Sequence, residues 1–129
     1  MLFLITLLLI KHFYDHDLRL INDWGHKNVL LKVMLSRKAS HLVTSEEYLY
    51  SNGKLIFYYS LEGEEGKQWE TRIYFNGKGM FKSTVKAGGK ELSANELSST
   101  EYSDFKPDPV KVLQNGKKYQ LLFVKQMVF

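Results

Sequence analysis

His12, Asp15, His16 and Asp17 form the densest cluster of potential metal ligands in the chain. On a helix, His12 and His16 stand at i and i+4, which turns both imidazoles to one face as a zinc site requires. The glutamate that would serve as general base in a His-Glu-x-x-His motif is missing, because Phe13 occupies that place. A third ligand such as His26 would have to come from beyond a turn. A solvated polar face accounts for the cluster more simply, and no metal is expected there. Glu62, Glu64, Glu65 and Glu70 form a second cluster, around Gly63 and Gly66. Paired carboxylates do acid–base work only in a pocket that shifts one pKa upward, and a glycine-bounded loop favours solvated carboxylates with loose cation binding at most.

Other chemistries lack their residues. The chain has no cysteine, which removes disulfides, thiolate metal sites and thiol catalysis. No serine sits in Gly-x-Ser-x-Gly, and neither Gly-x-Gly-x-x-Gly nor a phosphate-binding Gly-x-x-x-x-Gly-Lys-Ser/Thr occurs. No catalytic residue and no cofactor are expected. A hydrolase centred on His12, His16 and neighbouring carboxylates is the alternative from the enzyme class.

The residues that remain are aromatic. Eight tyrosines, eight phenylalanines and two tryptophans in 129 residues are more than a dry core needs, since each tyrosine hydroxyl wants water or a partner. The net charge of +4 is spread without runs longer than Lys117-Lys118 or Glu64-Glu65. Glutamates 46, 47 and 70 dilute any basic aromatic platform, so nucleic acid is not the expected partner.

The elements that position these aromatics are hairpins. Glu46–Tyr59 and Trp69–Val85 each run through β-branched and aromatic residues into Asn-Gly-Lys and out again. Asn-Gly suits a two-residue type I′ turn, in which both central residues have φ > 0. A turn on Asn52-Gly53 sets Tyr50 opposite Leu55 and Tyr48 opposite Phe57. A turn on Asn76-Gly77 sets Ile73 opposite Met80 and Tyr74 across from Gly79. Gly88-Gly89 would pair Lys86 with Glu91, and Asn115-Gly116 would pair Val112 with Tyr119, making Lys117–Phe129 a central strand. Val29 to Leu35 reads as a mostly buried strand and Ser36–Ser40 as a turn.

Two helices are expected. Ile10, Phe13, Tyr14, Leu18 and Ile21 recur at helical spacing, with Gly25 available to end the helix. Ser93-Ala94-Asn95-Glu96 has the capping-box form, predicting a short helix to about Ser103, before Pro107 and Pro109. Residues 1–10 are the most hydrophobic stretch, with the Leu-richness of a signal-peptide core but without its basic start or its cleavage site. They read either as part of an export signal, placing the chain near a membrane, or as a helix packed into the core. The expected organisation is thus an apolar signal-like segment and helix over 1–22, then an antiparallel β domain over 23–129.

Tyr48-Leu49-Tyr50-Ser51-Asn52-Gly53-Lys54-Leu55 and Ile73-Tyr74-Phe75-Asn76-Gly77-Lys78 resemble the Tyr-x-Asn-Gly-Lys units of MORN-like repeat proteins. They are also similar to a group of exported bacterial proteins of uncharacterised function built around paired hairpins of this kind. The likeness spans residues 42–86. It implies an exported hairpin protein and carries over no catalytic residue; Gly79-Met80 departs from the expected Leu-x-Phe.

The expected fold is mainly β: an antiparallel meander of six to eight strands, as a single curled sheet or barrel-like, with the N-terminal helix and one short helix. The expected function is a non-enzymatic secreted or envelope-associated module that binds a protein or glycan through an aromatic sheet face. Tyr48, Tyr50, Phe57 and Tyr59 share that face in the register above, and the opposite side, with Leu49, Ile56 and Tyr58, is the one expected to be buried.

Overall fold

The computed structural model describes the backbone of residues 11–13, 16–23, 29–39 and 42–127, and the side chains of 30–37 and 42–124. Met1–Ile10 and His26 lie outside the described residues, so the export-signal expectation is not addressed there.

The chain is mainly β. Among the described residues, eight strands form one antiparallel sheet whose spatial order follows the sequence: β1 (Lys11–Phe13), β2 (His16–Asp23), β3 (Val29–Ala39), β4 (Leu42–Ser51), β5 (Lys54–Glu64), β6 (Trp69–Asn76), β7 (Gly79–Ala87) and β8 (Lys90–Glu91). The sheet is not closed, and its two end strands are very short. Two α-helices follow, α1 (Ala94–Leu97) and α2 (Pro109–Met127), with a 3-10 turn at Ser103–Phe105 between them.

The helix expected over residues 10–22 is replaced by β1 and β2. From Asp17 the chain alternates as well as a helix would recur, and the register pairs Leu18 with Leu35 and Leu20 with Val33. Pairing with β3 satisfies the backbone groups of this segment along a long partner. His12 falls opposite Asp17 and His16 opposite Phe13, so the shared helical face of the two histidines does not form. Ser36–Ala39, expected as a turn, continues β3 alongside β4.

The hairpins differ in detail. Asn52 and Gly53 take φ of 51° and 76°, as a type I′ turn demands, and Tyr50 lies opposite Leu55. A bulge at Ile56 then shifts the register, so that Tyr48 faces Tyr58 rather than Phe57. In the second unit the turn lies one residue later. Asn76 pairs with Gly79, and the Lys78 N–H donates to Asn76 Oδ1 at 2.8 Å. The asparagine closes the turn with its side chain and needs no left-handed backbone. Gly79 takes φ +114° instead, Phe81 is the extra residue of a bulge, and Tyr74 faces Lys82. Gly88-Gly89 turns as expected, with Lys86 opposite Glu91.

These turns make a specific prediction. Gly79→Ala forces a side chain into positive φ and should cost about 1–2 kcal/mol, whereas Gly77→Ala meets open space and should be nearly neutral. Urea denaturation of the two variants distinguishes them; equal midpoints would count against the turn geometry.

Asn115-Gly116 is not a turn, and among the described residues after it the chain is helical where a strand was expected. Both lie within α2, where Val112, Gly116, Tyr119 and Phe123 recur at helical spacing against the sheet. Asp108 caps the helix, its Oδ1 accepting the Lys111 N–H at 3.1 Å, and Pro109 occupies the first position, where its missing N–H is harmless. The helix runs close to β5 at Gly116, where a Cβ would meet Leu55 Cδ2 at 3.0 Å and press that side chain aside. The capping box at Ser93 and Glu96 forms, but the helix it starts is one turn long.

α2 covers one face of the sheet, and the core lies between them. Leu30, Val33, Tyr48, Tyr50, Tyr58, Ile73 and Phe75 from the sheet meet Val112 and Phe123 from α2. Tyr50 donates its hydroxyl to the Gly116 carbonyl at 2.7 Å, and Gln120 Nε2 donates to the Gly53 carbonyl at 2.7 Å.

Candidate functional site

The register divides the four expected contact residues between two faces. Tyr48 and Tyr50 point to α2 and are 0% and 3% exposed. Phe57 and Tyr59 lie on the other face and are half-buried. The Tyr48–Tyr50–Phe57–Tyr59 patch therefore does not exist. The side expected to be buried is divided too: Tyr58 is buried while Leu49 and Ile56 are each 37% exposed. The bulge at Ile56 is the cause, since one extra residue exchanges inward for outward positions along the rest of β5. Two of the three buried core tyrosines, Tyr50 and Tyr58, each have an acceptor for their hydroxyl.

The face turned away from α2 carries a different aromatic group. Phe57 packs against Tyr74 with ring centres 5.1 Å apart, and Tyr74 against Phe81 at 6.2 Å. The Arg72 guanidinium stands 4.9 Å over the Tyr59 ring and the Lys82 ammonium 5.5 Å over Tyr74, in reach for cation–π attraction. Arg72 also pairs with Glu70 at 2.9 Å, and Lys32 with Glu47 at 3.5 Å. The Glu70 carboxyl is held below its ordinary value, first by its hydrogen bond from Arg72. Burial, then Glu70, pushes the Tyr59 hydroxyl up. Phe81 is 61% exposed.

On the α2 side, the core gives way to a cleft of about 300 Å³. Its floor is the polar end of the sheet face, where Glu46 pairs with Ser60, Thr44 with Glu62 and Ser60 with Thr71. Its roof is the segment 104–108 and the first turns of α2. Trp69 and Phe105 close one end, their rings 4.6 Å apart. Tyr58 donates its hydroxyl to Glu46 Oε1 at 2.6 Å. The Glu62 carboxyl is raised above its ordinary value, chiefly by burial and then by the Glu46 charge; Trp69 and Lys111 oppose the shift. Glu62 was expected to be a solvated loop residue, but it lies in β5, half-buried in the cleft. A signal was present in the sequence: on a strand, Glu62 falls on the same side as Ser60 and Tyr58.

Among the described residues, no group of three or more His, Cys, Asp or Glu side chains is disposed to hold a metal ion, and no helix is long and apolar enough to cross a membrane. No family of known proteins, no curated protein and no solved structure matches the chain.

Proposed function

We propose that the chain is a non-enzymatic binding module, secreted or envelope-associated, that contacts a protein partner through the open face of its sheet. The observation that carries this reading is the aromatic group of half-buried Phe57, Tyr59 and Tyr74 with exposed Phe81, Leu49 beside it and no described element lying over it. Rigid rings give large contact area at low entropic cost. The mixture of aromatic and aliphatic centre with paired charges around it is that of a protein interface and favours a protein over a glycan. Lys32, Arg72, Lys82 and Lys86 outnumber Glu47, Glu70 and Glu91 on this face, so the partner's contacting segment is apolar with an acidic flank.

The test places a photocrosslinking residue at Phe81 and, as a control, at Leu121, a similarly exposed position on α2. A discrete protein adduct is expected from Phe81 alone. It should be lost in Tyr59→Ala with Tyr74→Ala, since truncating contact aromatics typically costs about 2 kcal/mol or more, while the melting temperature stays near that of the parent. An adduct at Leu121 only, or a glycan adduct at Phe81, would overturn the proposal. Cell fractionation tests the location: a chain recovered wholly from the cytoplasm contradicts it.

A further inference from the structure

The cleft beneath α2 lies on the opposite face from the surface just proposed and is independent of it. We propose that it is a binding site for a small organic cation with an apolar body, an alkyl- or arylammonium. The charged head lies between Glu46 and Glu62, and the body lies against Trp69 and Phe105.

Several observations converge on that ligand class. The volume, about 300 Å³, lies at the lower end for small-molecule sites. Glu46 is fixed in place by the Tyr58 hydroxyl at 2.6 Å, so one carboxylate is pre-oriented. Glu62 lies half-buried in the same cleft, and burial, ahead of the Glu46 charge, is what raises its carboxyl. Lys111 is the cation that acts on it, from the roof. The other charged groups facing the cleft are Asp104, Lys106 and Asp108, and the Asp108 carboxylate is already engaged in capping α2. The buried Tyr48 hydroxyl lies behind this lining, beside Glu46 and Asn115.

The same features argue against other ligands. A divalent metal needs several oxygen ligands around one point, and no such group exists among the described residues. An anion would meet two carboxylates. An organic cation placed this way gains charge-assisted pairing at its head and apolar contact along its body.

The experiment titrates the full chain with benzylammonium, following Trp69 fluorescence and calorimetric heat, and repeats it with benzyl alcohol and with calcium. Saturable binding of benzylammonium is expected, with at least about tenfold weaker binding of the neutral alcohol. Glu62→Gln should weaken benzylammonium binding by about tenfold or more without loss of fold. Its melting temperature should rise at neutral pH, because the raised Glu62 carboxyl disfavours the folded chain as pH rises above the ordinary carboxyl value. Affinity should also fall as pH is lowered through the raised range of Glu62. Equal binding of benzyl alcohol, undiminished binding by folded Glu62→Gln, or displacement by calcium would overturn the proposal.

Discussion

Tyr48→Ala is expected to cost about 3–5 kcal/mol, whereas Tyr48→Phe should cost nothing or add about 1 kcal/mol of stability. Tyr48 is 0% exposed. Its ring lies edge-on between Tyr58 at 5.0 Å and Tyr119 at 5.1 Å, and Val33 is its neighbour on β3. Removing the ring leaves a cavity where sheet and helix meet, and neither side can collapse without moving the other. The hydroxyl contributes nothing comparable, because it is buried without a hydrogen-bond partner and had to leave water to get there. Tyr50→Phe provides the contrast. It removes a 2.7 Å hydrogen bond to the Gly116 carbonyl and should cost about 1 kcal/mol. Urea unfolding at neutral pH measures all three. A Tyr48→Phe variant as damaged as Tyr48→Ala would show that the hydroxyl is engaged after all.

Alkaline pH should unfold the chain cooperatively, through the same residues. Burial raises the hydroxyls of Tyr48, Tyr50 and Tyr58 strongly and pushes Tyr119 up to about 12. A tyrosine raised in the folded state favours folding only while it keeps its proton. Its contribution is complete below about pH 10, the value in the unfolded chain, and is lost as pH rises toward the folded-state value. Four such groups meet within one core, so their contributions fall together. Tyrosinate absorbance from these residues should therefore appear only with the loss of sheet circular dichroism, in one transition above about pH 10. Tyr48→Phe should move that transition to higher pH. Ionisation of a buried tyrosine while the sheet remains intact would contradict the packing described here.

The contrast between what could be read from the sequence and what could not has physical causes. Asn52-Gly53 and Gly88-Gly89 were legible because positive φ at both positions is a local demand that local residues answer. Asn76-Gly77 has the same appearance, but an asparagine can close a turn with its side chain as readily as with its backbone, and Gly79 offered a second glycine for the positive φ. Asn115-Gly116 was misleading for a tertiary reason. Its glycine lies against Leu55, a residue distant in sequence, while the helical spacing of Val112, Tyr119 and Phe123 and the start at Asp108-Pro109 were visible throughout. The expected buried face differs on β4, where Tyr48 and Tyr50 turn inward in place of Leu49, and on β5, where the bulge at Ile56 exchanges the faces and no pattern of alternation announces it. The cleft was hidden for a related reason. Glu62 acquires its character from the segment 104–108 and α2 folding over it, and Glu46 from the hydroxyl of Tyr58.

The strand order has a consequence for how the chain reaches this state. Every strand pairs with its neighbour in sequence, so the sheet can zip one hairpin at a time with little loop-closure entropy at each step. The contacts that seal it are of another kind. Tyr50 reaches Gly116 and Gln120 reaches Gly53 across separations of 66 and 67 residues, and α2 leaves the ribosome after every strand of the sheet. Throughout synthesis, a sheet already paired would present Tyr48, Tyr58 and Ile73 to water with nothing over them. The vulnerable species on the folding pathway is thus a formed sheet awaiting its helix, and its hazard is to meet another such sheet first.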